Sequence, residues 1–282
     1  MTHSFSLISS FKKFYIQFLI NFGFFKKFLL PKKEYRIFIF HEIKKKNFKK
    51  FEEVINYIKS KYEIIDPKKS FNLKSNSSQA IISFDDGYYS QYECVKKYLD
   101  KKNIKVIFFA IYDFMIINSK NKHKKFLKDN LKINPKFLNN KEFKNMSIKN
   151  YKLLIKNGHT IGAHTISHPN LKKISKKNCE NEIFNSKYKI SKKLGIKNLD
   201  NFAITFGGIN FINPFILKIC KKFYKSTYTG IRGSNNKKNN IYLRDNCDLN
   251  KEINEIKLII DGNADLYYVF DRIKLKFYKY MS

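Results

Sequence analysis

Arginine is scarce in this chain. Only Arg36, Arg232, Arg244 and Arg272 occur, within a total of 57 basic residues against 23 acidic ones, so the formal net charge of +34 is almost wholly lysine. This argues against a specific nucleic-acid reader, because bidentate contacts to bases and phosphates rely on the planar guanidinium. The lysines are dispersed rather than gathered into one tail, so the charge reads first as bulk composition and second as a weak pull towards anionic lipid or glycan. Cysteine is sparse too: Cys94, Cys179, Cys220 and Cys247 show no C-x-x-C spacing, which points away from zinc–thiolate ligation and a disulfide framework and towards reduced, buried thiols. A bilayer-spanning run is lacking in the leader. There "FYIQFLINFGFF" (14–25) would rise roughly 18 Å as a helix, short of a hydrocarbon core of roughly 30 Å. No small-residue cleavage site follows it, so the expectation is an uncleaved leader, either an interfacial anchor on an anionic membrane or a helix packed on the domain. The matching localisation is cytoplasmic or peripheral to the inner membrane. Internal repeats and a convincing linker are absent as well.

What is present is a core. The 282 residues are 43% hydrophobic, with 28 Phe and 18 Tyr, which excludes intrinsic disorder despite the charge. "YRIFIFHEI" (35–43), "QAIISF" (79–84), "IKVIFFA" (104–110), "HTIGAHT" (159–165), "NFAITF" (201–206) and "KSTYTG" (225–230) read as strands. Helical spacing covers 47–61, 92–103, 148–158, 175–194 and 213–223, with Ile183, Tyr188, Ile190 and Leu194 available for burial in the fourth. The Lys/Asn-rich stretch 113–150 is weakly patterned and reads as an excursion or lid. Strands alternating with helices predict an α/β fold on a parallel sheet, open or closed into a barrel. The expected layout is a leader (1–33), a barrel (34–250) and a C-terminal extension packed on it (251–282).

In such folds chemistry sits at the carboxyl ends of strands. "IISFDDGYYS" (81–90) places Asp85 and Asp86 at one such end. Neighbouring acids on an extended chain point to opposite sides, and the plainer reading is a strand closed by an Asp-Gly turn. "GAHTISHPNL" adds His164 and His168, a His-x-x-x-His pair that can place two imidazoles on one metal. A carboxylate would complete a two-His, one-Asp site with open positions for water and substrate. His41 lies at the end of the first strand. His159 reads as structural, and His3 and His123 as surface residues.

The order "SFDDG" (83–87), "HTISHP" (164–169), "FAITFGG" (202–208) resembles the polysaccharide deacetylases, the NodB-homology domain of carbohydrate esterase family 4, over roughly residues 35–250. "NGHTIGAHTISHPNL" is similar to the family throughout its length. The resemblance implies a distorted (β/α) barrel that hydrolyses the acetamide of an N-acetylated sugar in a surface polysaccharide or its precursor. It implies a divalent metal on Asp86, His164 and His168, with zinc in first place and cobalt, manganese or nickel as alternatives. It makes Asp85 the base acting on the metal-bound water and the main-chain N–H of Phe206 an oxyanion donor, with Gly207 and Arg244 as substrate contacts. Two departures stand out. Ile204 and Thr205 replace the usual Tyr-Pro or Arg-x-Pro, which puts the loop's rigidity in question. No histidine follows His168, although the family's general acid is a C-terminal Leu-x-x-His; "IYLRDN" (241–246) stands in that region. His41 is the candidate replacement, with Asp245 or solvent behind it. The rival readings are a glycan-binding relative without turnover, an O-acetyl esterase or other C–N hydrolase on the same fold, and a non-haem iron oxygenase.

Overall fold

The computed structural model describes residue 18 and residues 33–282 except 70, 73–74, 139–140 and 236–239. The leader expected over 1–33 therefore lies, but for Phe18 and Lys33, outside the described residues. The strands are β1 (Tyr35–Phe40), β2 (Glu63–Ile64), β3 (Gln79–Phe84), β4 (Ile107–Ala110), β5 (Thr160–Ala163), β6 (Asn201–Ala203), β7 (Ser226–Tyr228), β8 (Ile241–Tyr242) and β9 (Asp245–Asn246). They form one sheet in the order β8-β7-β6-β5-β4-β3-β1-β9, with β2 alongside the start of β3. Every pairing is parallel.

Sheets of this kind are buried on both faces, which is why the strands read as unbroken apolar runs. The period of two still sorts their side chains. Phe38, Phe40, Ile82, Phe84, Phe108 and Phe202 pack outward among the helices. Ile37, Ile81, Ile107, Phe109, Ala203 and Tyr228 fill the inside of the curl. The helices are α1 (Phe48–Lys61), α2 (Tyr89–Cys94), α3 (Tyr112–Ile116), α4 (Lys120–Asp129), α5 (Ile148–Lys156), α6 (Lys176–Leu194), α7 (Pro214–Phe223), α8 (Ile253–Ile260) and α9 (Val269–Tyr280). α2 begins three residues earlier than the sequence suggests and continues through a π turn to Leu99 and a 3-10 turn to Lys102. α8 adds Ile256 and Ile260 to the outer core, and α9 adds Leu275.

The two edges of the sheet are almost neighbours in sequence. β8 ends at Tyr242 and β9 starts at Asp245. Three peptide steps span at most about 11 Å, so the sheet must curl until its edges nearly meet. Asn235 fastens this seam: its Nδ2 donates to the carbonyls of Tyr35 and Leu243 at 3.1 and 3.0 Å, and its Oδ1 accepts from the Leu243 N–H at 2.8 Å. Below it, the fully buried Arg36 donates to Asp245, Asp265 and Glu34.

The stretch 113–150 is an excursion, as expected, its Phe114, Phe126, Leu127 and Phe143 packed with Tyr88 and Ile111. Two expectations change. His123 is no surface residue; it is half-buried, stacked on Phe114 with ring centroids 5.6 Å apart. Tyr188 is 59% exposed. At 100° per residue it lies roughly 140° around α6 from the buried Ile183, outside the stripe that Ile190 and Leu194 share with it.

Candidate active site

The inward parity of β3 runs Ile81, Ser83, Asp85, and that of β1 runs Ile37, Ile39, His41. Asp85 and His41 thus arrive at the rim of the curl by strand geometry alone. Asp86 would point away, but its backbone is left-handed (φ 73°) and turns its carboxyl back into the rim. Gly87 must be glycine: it too has positive φ (95°), and a Cβ there would fall on the Tyr151 hydroxyl. Left-handed backbone recurs at Thr165, His168 and Phe206, with φ of 67°, 61° and 60°. Each such residue costs on the order of 1 kcal/mol or more, and strain of this kind collects where side chains must be aimed.

His41, Asp85, Asp86, His164, His168, Phe206, Gly207 and Arg244 all line one cavity of about 260 Å³. Two larger clefts, of about 770 and 490 Å³, open at the other end of the strands. Among the described residues, Asp86, His164 and His168 are the group of three acid, imidazole or thiol side chains whose donor atoms converge, all within 4.8 Å of one another. The His164 and His168 Nε2 atoms each lie 3.6 Å from Asp86 Oδ1. That is too long for hydrogen bonds and close to the roughly 3.4 Å expected between ligands sharing a tetrahedral cation. Both Nδ1 atoms face main-chain carbonyls, Ala203 at 2.8 Å and Asn130 at 3.3 Å. This fixes the tautomer with Nε2 bare towards the cavity. Burial pushes both imidazoles down to about 4, so they are neutral at neutral pH. Burial also raises the Asp86 carboxyl, against the pull of His41 and His164. Two neutral nitrogens and one carboxylate fit a divalent cation of the zinc type.

Asp85 is held differently. Arg244 Nη1 and Nη2 donate to its two oxygens at 2.7 and 2.8 Å, and Arg244 Nε donates to the Thr229 carbonyl at 2.8 Å. Burial alone would raise this carboxyl, but Arg244, with His164 and His41 beyond, brings it down to about 2. Arg244 is 1% exposed, and it donates to Asp85, the Ser83 hydroxyl and the Thr229 carbonyl in place of the sugar contact expected from the sequence. Gly207 (φ 56°) packs main chain to main chain, its carbonyl accepting from the Gly230 N–H at 2.8 Å; a Cβ would meet that nitrogen. The loop before it is firm without proline: Thr205 Oγ1 donates to the Pro169 carbonyl at 2.6 Å, and Ile204 is buried. The Phe206 ring lies over His168, centroids 4.8 Å apart. Asp245 is corrected as a proton source: it is fully buried on Arg36 beneath the seam. His159 is structural as expected, its Nε2 2.7 Å from Asp100 and its Nδ1 accepting from the Val106 N–H.

Sequence reasoning missed three supports. Glu182 accepts from the N–H groups of Ile166 and Ser167 and from the Ser167 hydroxyl, locking the histidine loop. Asn130 brings the excursion to His168. Asn246 lies on the same cavity with a buried Oδ1 that has no hydrogen-bond partner. Only Glu182 carried a sequence signal, since it sits in the helix leading into the third motif.

A parallel sheet curled to near closure, with this donor cluster at its carboxyl rim, defines a hydrolase barrel of the deacetylase type. The family model described as "Polysaccharide deacetylase" matches residues 73–218, more than half of the chain, and the chain belongs to that family; it is a glycan-deacetylating enzyme. No curated protein sequence matches it. Among solved structures it is similar to IcaB from Ammonifex degensii, with TM-score 0.59 and 15% identity over 76% of this chain and 91% of that one. It is also similar to the Streptococcus pyogenes deacetylase PplD in complex with acetate, with TM-score 0.61 and 18% identity over 80% of this chain and 98% of that one. A third is BC0361, a polysaccharide deacetylase from Bacillus cereus, with TM-score 0.61 and 17% identity over 81% of this chain and 69% of that one. At these identities the likeness is one of fold.

Proposed function

We propose that the protein removes N-acetyl groups from an amino sugar in a surface polysaccharide or its precursor, with a divalent cation, zinc in first place, held by Asp86, His164 and His168. The convergence of those three donors beside an Arg244-held Asp85 carries this reading. A cation there would supply Lewis acidity, polarising the acetamide carbonyl and acidifying water. Asp85, ionised at neutral pH, keeps lone pairs beyond those used by Arg244 and accepts the proton of the attacking water. Arg244 is a positioning residue that fixes the carboxylate plane. The Phe206 main-chain N–H is the donor assigned to the developing oxyanion. As the C–N bond breaks, the amine nitrogen takes a proton from His41, which lines the same cavity. Acetate and a free amine leave, and one water is consumed.

The test is acetate release from N-acetylglucosamine oligomers of different linkage by metal-loaded enzyme, with metal content measured in parallel. His164→Ala and His168→Ala should each lose most metal and turnover while keeping the fold by circular dichroism. Full metal occupancy in both variants overturns the ligand assignment. Release from O-acetylated glycans only points to an esterase, and tight glycan binding without release to a binding protein.

A further inference from the structure

The last helix, α9 (Val269–Tyr280), is held by one face. Leu275 is buried at 2% exposure, Arg272 Nη1 donates to the carbonyls of Arg232 and Asp265 at 3.0 and 2.8 Å, and Lys279 Nζ donates to the Ile241 carbonyl at 3.2 Å. The opposite face is apolar and bare: Phe270, Ile273, Phe277 and Tyr280 are 81%, 60%, 60% and 91% exposed. At 100° per residue these four fall within an arc of roughly 80°, and Leu275 lies diametrically behind its centre. Lys274 and Lys276, both exposed, stand roughly 40° outside the two edges of the arc.

We propose that this face lies on the surface of an anionic phospholipid bilayer. Four large apolar side chains in one stripe are more than a water-facing helix carries without a partner. The flanking lysines have long stems that keep their charge at headgroup level while the stripe enters the acyl boundary. Its 12 residues make about 18 Å, so the helix lies in the interface; among the described residues none is long and apolar enough to cross a membrane. A second copy of the chain is the poorer occupant, because pairing the stripes would bring Lys274 and Lys276 against their counterparts between molecules of net charge +34. An anionic surface makes the same charges attractive.

The experiment is co-sedimentation of the full chain with vesicles of phosphatidylcholine and phosphatidylglycerol, compared with phosphatidylcholine alone. The expected result is binding to the anionic vesicles that weakens with salt. Phe270→Ser with Phe277→Ser should lower the partition coefficient about tenfold or more, and Lys274→Glu with Lys276→Glu should do so too and flatten the salt dependence. Both double variants alter exposed side chains, and unchanged circular dichroism and melting temperature establish that they fold. The proposal is overturned if both variants bind like wild type, which would put binding on the leader, or if neutral vesicles bind equally well. A dimer in sedimentation velocity that the Phe variants dissolve, with no vesicle binding, also overturns it and assigns the stripe to a second copy.

Discussion

Two buried arginine–aspartate pairs stand a few residues apart in this molecule and behave in opposite ways. Arg244 gives both terminal amines to Asp85, one to each oxygen, and the carboxyl falls to about 2. Arg36 is shared among Asp245, Asp265 and Glu34, and Asp245 Oδ1 is left without a hydrogen bond. Burial there raises the Asp245 carboxyl, and one guanidinium divided among three acids does not reverse it. The same two residue types thus produce a readily ionised carboxyl at the rim and a reluctant one beneath the seam. What differs is the number of acids per cation, and it separates a chemical site from a structural clasp.

Removing the cations should break the comparison most. Arg244→Met strips a buried carboxylate of its partner; the expected cost is about 3–5 kcal/mol by denaturant unfolding, with turnover down at least about a hundredfold. Arg36→Met should cost about as much stability, yet leave turnover per folded molecule unchanged; a large loss of turnover at full folding would contradict the clasp assignment. The aspartates sharpen the contrast. In chelator-treated protein, Asp85→Asn should lose about 2–3 kcal/mol at pH 7, the worth of a carboxyl lowered from about 4 to about 2. That stability is present above the unfolded pKa and lost as pH falls through the folded one, so the gap between wild type and variant should close between about pH 4 and pH 2. Asp245→Asn, which leaves Arg36 two other acids, should shift stability by under about 1 kcal/mol and show no such closure. In the metal-loaded enzyme Asp85→Asn should keep its metal and lose about 10²- to 10⁴-fold in turnover. Smallest of all, Phe206→Tyr should stay within about twofold in turnover, because the proposed role is main-chain; a tenfold fall would move that role to the ring.

The sequence made most of this rim legible because parity and chain order carry it. Apolar runs located β1, β3 and β4, and counting by twos from Ile37 and Ile81 brings His41 and Asp85 to one interior. The histidine spacing announced the third and fourth members. The remainder depends on contacts that no local pattern encodes. β8 and β9 are two residues each, too short to show a period, so the seam and the meeting of Arg244 with Asp85 had no signature. The left-handed turn at Asp86, which makes two diverging acids converge, was hinted at only by the glycine after it. Tyr188 was misjudged although the helical period excluded it, and His123 because an aromatic stack 5.6 Å away is a tertiary fact.

The seam also sets an order of events during synthesis. His41, Asp85, Asp86, His164 and His168 have all left the ribosome well before Arg244, and the partners Arg244 and Asp85 are 159 residues apart. A nascent chain can assemble its three cation donors while the neighbouring carboxylate is still unclasped, and contacts of such long separation form late. On the proposed mechanism the clasped carboxylate exists only once the closing corner arrives, so a chain cut short before Arg244 should lack turnover.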